Sequence, residues 1–185
     1  MTWSPLNPPP AGGETPKTRW RAVPYTAGKG LDLGCGPTKL FETEFVFAVD
    51  DGSDPNVANA NMRLDVRDLS TFSAGSWDFA FSSFTLQYFT YKEVPNVLRE
   101  WMRVIKVGGT LCLYLPDSDQ YPKCNEPELG IVAEPGVNPR NAWNVTYARL
   151  VAALEKVHFN FDVCEYQVCS EGDEYALWMV VRKLK

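Results

Sequence analysis

The chain reads as an α/β fold: a mostly parallel sheet with helices on both faces, ending in an antiparallel hairpin. Three observations predict it. From Gly30 onward, strand-like and helix-like periodicity alternate. Four short apolar runs, Leu31 to Leu33, Phe45 to Val49, Trp77 to Phe81 and Leu111 to Leu115, suit strands covered on both sides. The first run passes into Gly34-Cys35-Gly36-Pro37, where two glycines let the backbone turn and approach a ligand closely.

That first turn carries the most information. The second run ends in Asp50, fourteen residues after Gly36. A glycine turn after one strand and a carboxylate closing the next is how α/β folds grip a nucleoside. The spacing admits two readings. A dinucleotide fold wants a third glycine and a helix whose N-terminus holds pyrophosphate. Here Lys39 stands at the third glycine position. The segment Thr38 to Glu44 is too short for a normal crossover helix, and its acids Glu42 and Glu44 suit a phosphate poorly. No G-x-x-x-x-G-K-[ST] occurs, which excludes a P-loop. A nucleoside without phosphates fits better.

The remaining elements follow in order. A helical turn is expected around Lys17 to Val23. Val94, Val97, Leu98, Trp101, Met102 and Ile105 recur at three-and-four spacing, which predicts a helix with Pro95 in its first turn. Gly108-Gly109 is expected to form its left-handed cap. Residues 116–140 are rich in Pro, Gly, Asp and Glu and form a long connection at the carboxyl edge of the sheet. A helix is expected from about Val145 to Val157, with Tyr147, Leu150, Val151 and Leu154 on one face. Phe161 to Cys169 and Tyr175 to Arg182 then form two strands joined by the short link Ser170 to Glu174.

A length of 185 residues, with 45% hydrophobic and 22% charged content, suits one core. We divide the chain into a proline-rich tail and candidate lid, residues 1–27, and one domain, residues 28–185. The net charge of −5 argues against non-specific nucleic-acid binding. No long apolar run and no signal-like start are seen, so a cytoplasmic protein without a membrane span is expected. One histidine and five scattered cysteines argue against a zinc site and a disulfide framework. Cys112 and Cys164 read as small core residues.

Five segments, taken together, carry a resemblance. They are Leu31-Asp32-Leu33-Gly34-Cys35-Gly36-Pro37, Val49-Asp50, Met62 to Leu69, Ser76 to Tyr88 and Leu98 to Leu111. In this order and spacing the chain resembles class I S-adenosylmethionine-dependent methyltransferases from about Gly28 to its end. The short first crossover, Leu115 to Pro122 and Glu134 to Pro139 are similar to small methyltransferases often encoded beside glycosyltransferases. Those relatives continue with a His-Lys-His-Asp-like patch, where this chain has Arg140-Asn141-Ala142-Trp143-Asn144.

The resemblance implies S-adenosylmethionine as cofactor, with Gly34, Cys35 and Gly36 passing beneath its methionine part and Asp32 orienting the ammonium. It implies Asp50 on the ribose hydroxyls, with Asp51 as the competing choice. Asp65 would meet the adenine amino group and the Val66 amide the ring edge, with Asp68 as rival. Ser82, Ser83 and Phe84 would face the methionine ammonium and the reaction site. Asp117 or Asp119 would take a proton from an acceptor hydroxyl, the bland alternative being an Asp turn. Trp20, Tyr121 and Trp143 would stack on cofactor or sugar, or pack a lid. His158 reads as a helix-end cap. The implied activity is methyl transfer to oxygen on a glycan or small metabolite. Its alternative is an S-adenosylmethionine-binding partner without catalysis. Asp-Pro-Pro-Tyr, Asn-Pro-Pro-Tyr and Pro-Cys are absent, which disfavours methylation of DNA bases.

Overall fold

The structure, a computed structural model, describes residues 14–54 and 60–185. The expected tail over residues 1–13 lies outside them. Seven strands form one sheet: β1 Gly30–Leu33, β2 Val46–Asp50, β3 Met62–Arg63, β4 Trp77–Ser83, β5 Ile105–Pro116, β6 Phe161–Cys169 and β7 Ala176–Lys183. Their order is β3-β2-β1-β4-β5-β7-β6. The first five run parallel, and β7 pairs antiparallel with both β5 and β6. The predicted fold class is therefore present, terminal hairpin included.

Alternation along the strands separates two cores. Leu31, Leu33, Ala80, Leu111, Leu113, Met179 and Val181 face helices α2 (Val94–Val104) and α3 (Tyr147–Leu154). Phe79, Phe81, Cys112, Tyr114, Trp178 and Val180 face the other side, where Ala22 of α1 (Thr15–Ala22) and Leu40 pack. Burying each such side chain contributes roughly 1.5–3 kcal/mol, which is what holds the strands in register. The segment expected as a tail, residues 14–27, is thus partly structural: Arg21 makes a two-pronged bond to Glu174, at 2.8 and 3.0 Å.

The helices follow their apolar spacing. In α2, Val94, Val97, Leu98, Trp101 and Met102 are buried and Pro95 sits in the first turn. In α3 the Thr146 side chain caps the N-terminus by accepting from the Arg149 amide at 3.3 Å, so the helix starts later than expected. Tyr147 faces outward and lies against Tyr166 with ring centroids 4.2 Å apart. No helix follows β1 among the described residues, as the short crossover predicts. Nor is any described helix long and apolar enough to cross a membrane.

Two expectations are corrected. The α2 helix ends at Val104, so Gly108-Gly109 do not cap it. Trp77 pairs with Ile105 and Phe79 with Thr110, a bulge in β5 that the two glycines make possible. Gly108 has φ +83°, and a side chain on Gly109 would collide with the Asp78 carbonyl. The last carbonyls of the helix are met instead by the buried Lys183, whose Nζ donates to Met102 O and Ile105 O, each at 2.8 Å. Cys112 is buried as expected, but Cys164 is exposed, because the register shift between Val163 and Glu165 turns it out of the core.

Candidate functional site

Parallel pairing brings the carboxyl ends of β1 to β5 to one edge. Asp32, the Gly34–Gly36 turn, Asp50, Asp65, Ser83-Phe84 and Asp117 all lie along it. The strand order reverses between the parallel neighbours β1 and β4, the position where open α/β sheets bind their ligands. His158 precedes β6, which starts at the opposite edge, and its side chain is exposed.

The turn after β1 is fixed from both neighbours. Gly34 N and Cys35 N donate to Val49 O at 2.9 and 3.2 Å. The Thr85 hydroxyl donates to Gly34 O or Ser83 O, each at 3.2 Å. Gly34 has φ +72° and a side chain there would collide with Thr85. Gly36, at φ +57°, differs: a Cβ built on it meets nothing within 4 Å. The turn is thus packed on the side of Gly34 and open at Gly36.

Two carboxylates belong to the strands that meet at this turn. Asp50 closes β2, its Oδ2 accepting from Gly36 N at 3.0 Å and its Oδ1 from Gly52 N at 2.8 Å. Asp32 is 1% exposed. Its Oδ2 accepts from Leu40 N at 2.6 Å, while its Oδ1 is buried with no partner. Burial pushes its pKa up to about 7, against the pull of the Leu40 amide and of Lys39. Cys35 lies beneath the turn, and burial lifts its thiol to about 12, far from any nucleophilic range.

The other expected residues are placed as follows. Asp65 is half-exposed and gripped by the Arg67 side chain at 2.6–3.0 Å, which holds its carboxyl below the usual range. The neighbouring Val66 is buried, and its carbonyl accepts from Trp101 Nε1 at 2.8 Å. Ser82 Oγ donates to Leu33 O at 2.9 Å, tying β4 to β1. Ser83 Oγ is buried with no partner. Phe84 stands at φ +50°, in the left-handed region, with its ring 5.5 Å from Tyr114 and edge-on to Tyr175 at 5.9 Å. A bulky residue held there marks a site that the surroundings over-determine.

After β5 the Asp turn is present. Asp117 is buried and its carboxylate accepts from Asp119 N at 3.2 Å and Gln120 Nε2 at 3.0 Å. Asp119 is exposed. Tyr121 stacks on Tyr175 with centroids 4.8 Å apart. Trp143 is a core residue, its Nε1 donating to Leu86 O at 3.0 Å, and Trp20 lies outside with the Arg21 guanidinium over its ring. Thr85 and the Leu40 amide were given no role from the sequence, and Arg140 was marked there only as the start of the segment that replaces the His-Lys-His-Asp-like patch. Only their contacts across the fold reveal them.

The arrangement fits a nucleoside with an amino-acid tail. The Cβ side of Gly36 is open space, which leaves room beside the turn for a ligand. The partnerless Asp32 Oδ1 is a buried acceptor awaiting a donor, and an ammonium is one.

Comparison with known proteins agrees. Residues 31–113 match the methyltransferase domain family. No curated protein matches the chain. Among solved structures, a protein of Pyrococcus horikoshii is 19% identical with a TM-score of 0.66, covering 94% of this chain and 95% of that one. The 1,6-didemethyltoxoflavin-N1-methyltransferase of Burkholderia thailandensis, solved with its substrate and S-adenosylhomocysteine, is 16% identical with a TM-score of 0.67 over 92% and 77%. An S-adenosylmethionine-dependent methyltransferase of Mesorhizobium loti is 16% identical with a TM-score of 0.62 over 93% and 98%. The domain match spans β1 to β5, and the sheet around these residues has the fold that those solved structures share.

Proposed function

We propose that the protein moves the methyl group of S-adenosylmethionine onto an oxygen of a small-molecule acceptor, a glycan unit included. One observation carries the assignment of the donor site. Gly36 has open space on its Cβ side and donates its amide to Asp50, and β1, which leads into the same turn, carries a buried Asp32 oxygen that lacks a donor.

In this reading Gly34, Cys35 and Gly36 run beneath the methionine part of the cofactor. Asp32 faces its ammonium and Asp50 its ribose diol, where a charged acceptor facing two hydroxyls is favourable and selective. Asp65 and Val66 stand at the adenine end. Ser82 holds the two central strands together, and Ser83 and Phe84 border the reacting centre. When bound, the cofactor would supply a methyl on a sulfonium, a donor already activated toward the electron pair of an acceptor oxygen. The chain's task is to position and to exclude water, and no fixed base is required.

The catalytic unit in this proposal is one domain with α1 as part of it, in the cytoplasm. An acidic balance of −5 supports a small acceptor over a nucleic acid. The second reading, a cofactor-binding partner without turnover, draws on the Asp117 carboxylate being engaged within its own turn.

A melting scan with S-adenosylmethionine, S-adenosylhomocysteine and NAD tests the assignment, since a ligand that binds only the folded state raises the midpoint. Stabilisation by the first two is expected. Stabilisation by NAD alone overturns it. Cofactor binding without turnover across a panel of hydroxylated acceptors favours the second reading.

A further inference from the structure

The connection between β5 and α3 is fixed at both flanks. Ser118 N donates to Val145 O at 2.8 Å, so its two ends are zipped together. Ala142 N donates to Gln87 O at 2.8 Å, and the buried Asn144 and Glu126 bind each other at 2.7 Å. Between these anchors, Asn138 to Arg140 reaches across the carboxyl edge. Asn138 Oδ1 accepts from Arg140 N at 2.9 Å, which forms a tight turn. Asn138 N donates to Tyr121 Oη at 3.1 Å, and its Nδ2 meets Tyr88 Oη at 3.5 Å.

The Arg140 side chain continues outward from that turn. Its guanidinium lies 4.6 Å from the centre of the Tyr88 ring, and Nη2 donates to Ser53 Oγ at 3.2 Å. Ser53 belongs to the turn that follows β2. That turn is organised by Asp50 Oδ1, which accepts from Gly52 N, and by Asp51 Oδ1, which accepts from Ser53 N, each at 2.8 Å. One exposed cation therefore joins the acceptor-side loop to the loop that starts at the ribose carboxylate, 87 positions away in the chain.

We propose that Arg140 is a positioning residue: it latches the β5–α3 connection onto the turn after Asp50, so that a nucleoside held at Asp50 and an ordered acceptor loop stabilise each other. This rests on the methyltransferase reading above. Two features make the latch suitable. An exposed cation over a ring and a single hydroxyl contact are both weak, so the connection opens without unfolding anything. The acids at Asp50, Asp51 and Asp54 draw a guanidinium toward this rim, and its planar face suits the Tyr88 ring where an ammonium does not. Coupling of this kind is reciprocal: what the nucleoside gains from the latch, the loop gains from the nucleoside.

The test compares wild type with Arg140→Met and Ser53→Ala, which cut the contact from opposite sides. S-adenosylhomocysteine is the probe. In wild type it is expected to slow amide hydrogen exchange in residues 137–142. Both variants are expected to lose that slowing and to release the probe at least about fivefold faster, the lower end of typical coupling. The melting midpoint without ligand is expected to stay unchanged, because the contact is exposed; a merely structural role would move the midpoint and leave the ligand-dependent protection intact. Variants that keep both the protection and the slow release overturn the latch alone. A wild type that does not bind the probe overturns the methyltransferase reading and the latch with it.

Discussion

The Gly36 amide donates to Asp50 Oδ2 at 3.0 Å, joining the turn after β1 to the tip of β2. The other carboxylate oxygen holds the Gly52 amide. Asp50 thus ties the turn after β1 to the turn after β2, and each oxygen keeps a lone pair for a further donor. Asp50→Ala is expected to weaken S-adenosylhomocysteine binding by about 1–3 kcal/mol. Asp50→Asn is expected to rescue little, since its NH2 group would face a main-chain N–H. Titration calorimetry of both variants checks this; an unchanged dissociation constant refutes the role.

Asp32 predicts a pH dependence. Buried among Leu40, Lys39, Arg19 and Asp50, its carboxyl titrates at about 7, raised by burial. A raised acid is protonated in the folded state while already ionised in the unfolded chain. Its contribution to stability is therefore complete below about pH 4 and lost as pH rises through 7. A cation placed against Oδ1 favours the carboxylate. Cofactor binding is then expected to release close to one proton below pH 7, and affinity to rise between pH 5 and 7 and level off above. Calorimetry in two buffers of different ionisation enthalpy counts that proton. Asp32→Asn is expected to abolish the release, and a wild type with no proton linkage contradicts the assignment.

The two glycines of the turn separate fold from function. Gly34→Ala puts a methyl into Thr85 at φ +72°, so the fold itself is expected to weaken. Gly36→Ala meets no protein atom within 4 Å and carries only the left-handed strain, roughly 1–2 kcal/mol. Its methyl enters that open space. We therefore expect Gly36→Ala to lower the urea midpoint by no more than that strain and to lose cofactor affinity by more than the strain accounts for, and Gly34→Ala to lose more stability and affinity as well. Full affinity in Gly36→Ala would show that the open side of the turn is not where the ligand lies.

The difference between these two glycines also shows how much was legible in the sequence. Both were recognisable as turn formers, because a glycine pair after an apolar run is a local signal. Which one is packed and which is open depends on Thr85, 51 positions away from Gly34. Strands and helices were readable for the same local reason: alternation and three-and-four spacing lie within a single element. Gly108-Gly109 were misread because a glycine pair suits a helix cap and a bulge equally, and only the partner strand β4 decides. Cys164 looked like a core residue until the register of β6 turned it outward. Asp32 and Asp50 were legible by position, whereas the Leu40 amide that holds Asp32 and the Ser53 hydroxyl that meets Arg140 exist only as contacts across the fold.

The last prediction concerns the frame of the acceptor loop. Glu126 is 1% exposed, yet it is an ion. Burial alone would raise its pKa, but Arg149 Nη1 and Nη2, each at 2.7 Å, with the Asn144 amide at 2.7 Å, hold it below the usual carboxylate range. Arg149 belongs to α3 and Asn144 to the end of the loop, so one carboxylate fastens the middle of the connection to the helix that follows. A lowered acid contributes stability above its unfolded pKa and loses it as pH falls through the folded value. The loop is therefore expected to loosen below about pH 4.5 while the sheet remains, as read by amide hydrogen exchange in residues 117–146 against the strands. Glu126→Gln is expected to cost about 1–3 kcal/mol at neutral pH and to remove that acid transition. Because Glu126 makes no contact with the Gly34–Gly36 turn or Asp50, affinity for S-adenosylhomocysteine is expected to survive the substitution more nearly than acceptor turnover does. An acid transition that persists in Glu126→Gln would assign it to another group.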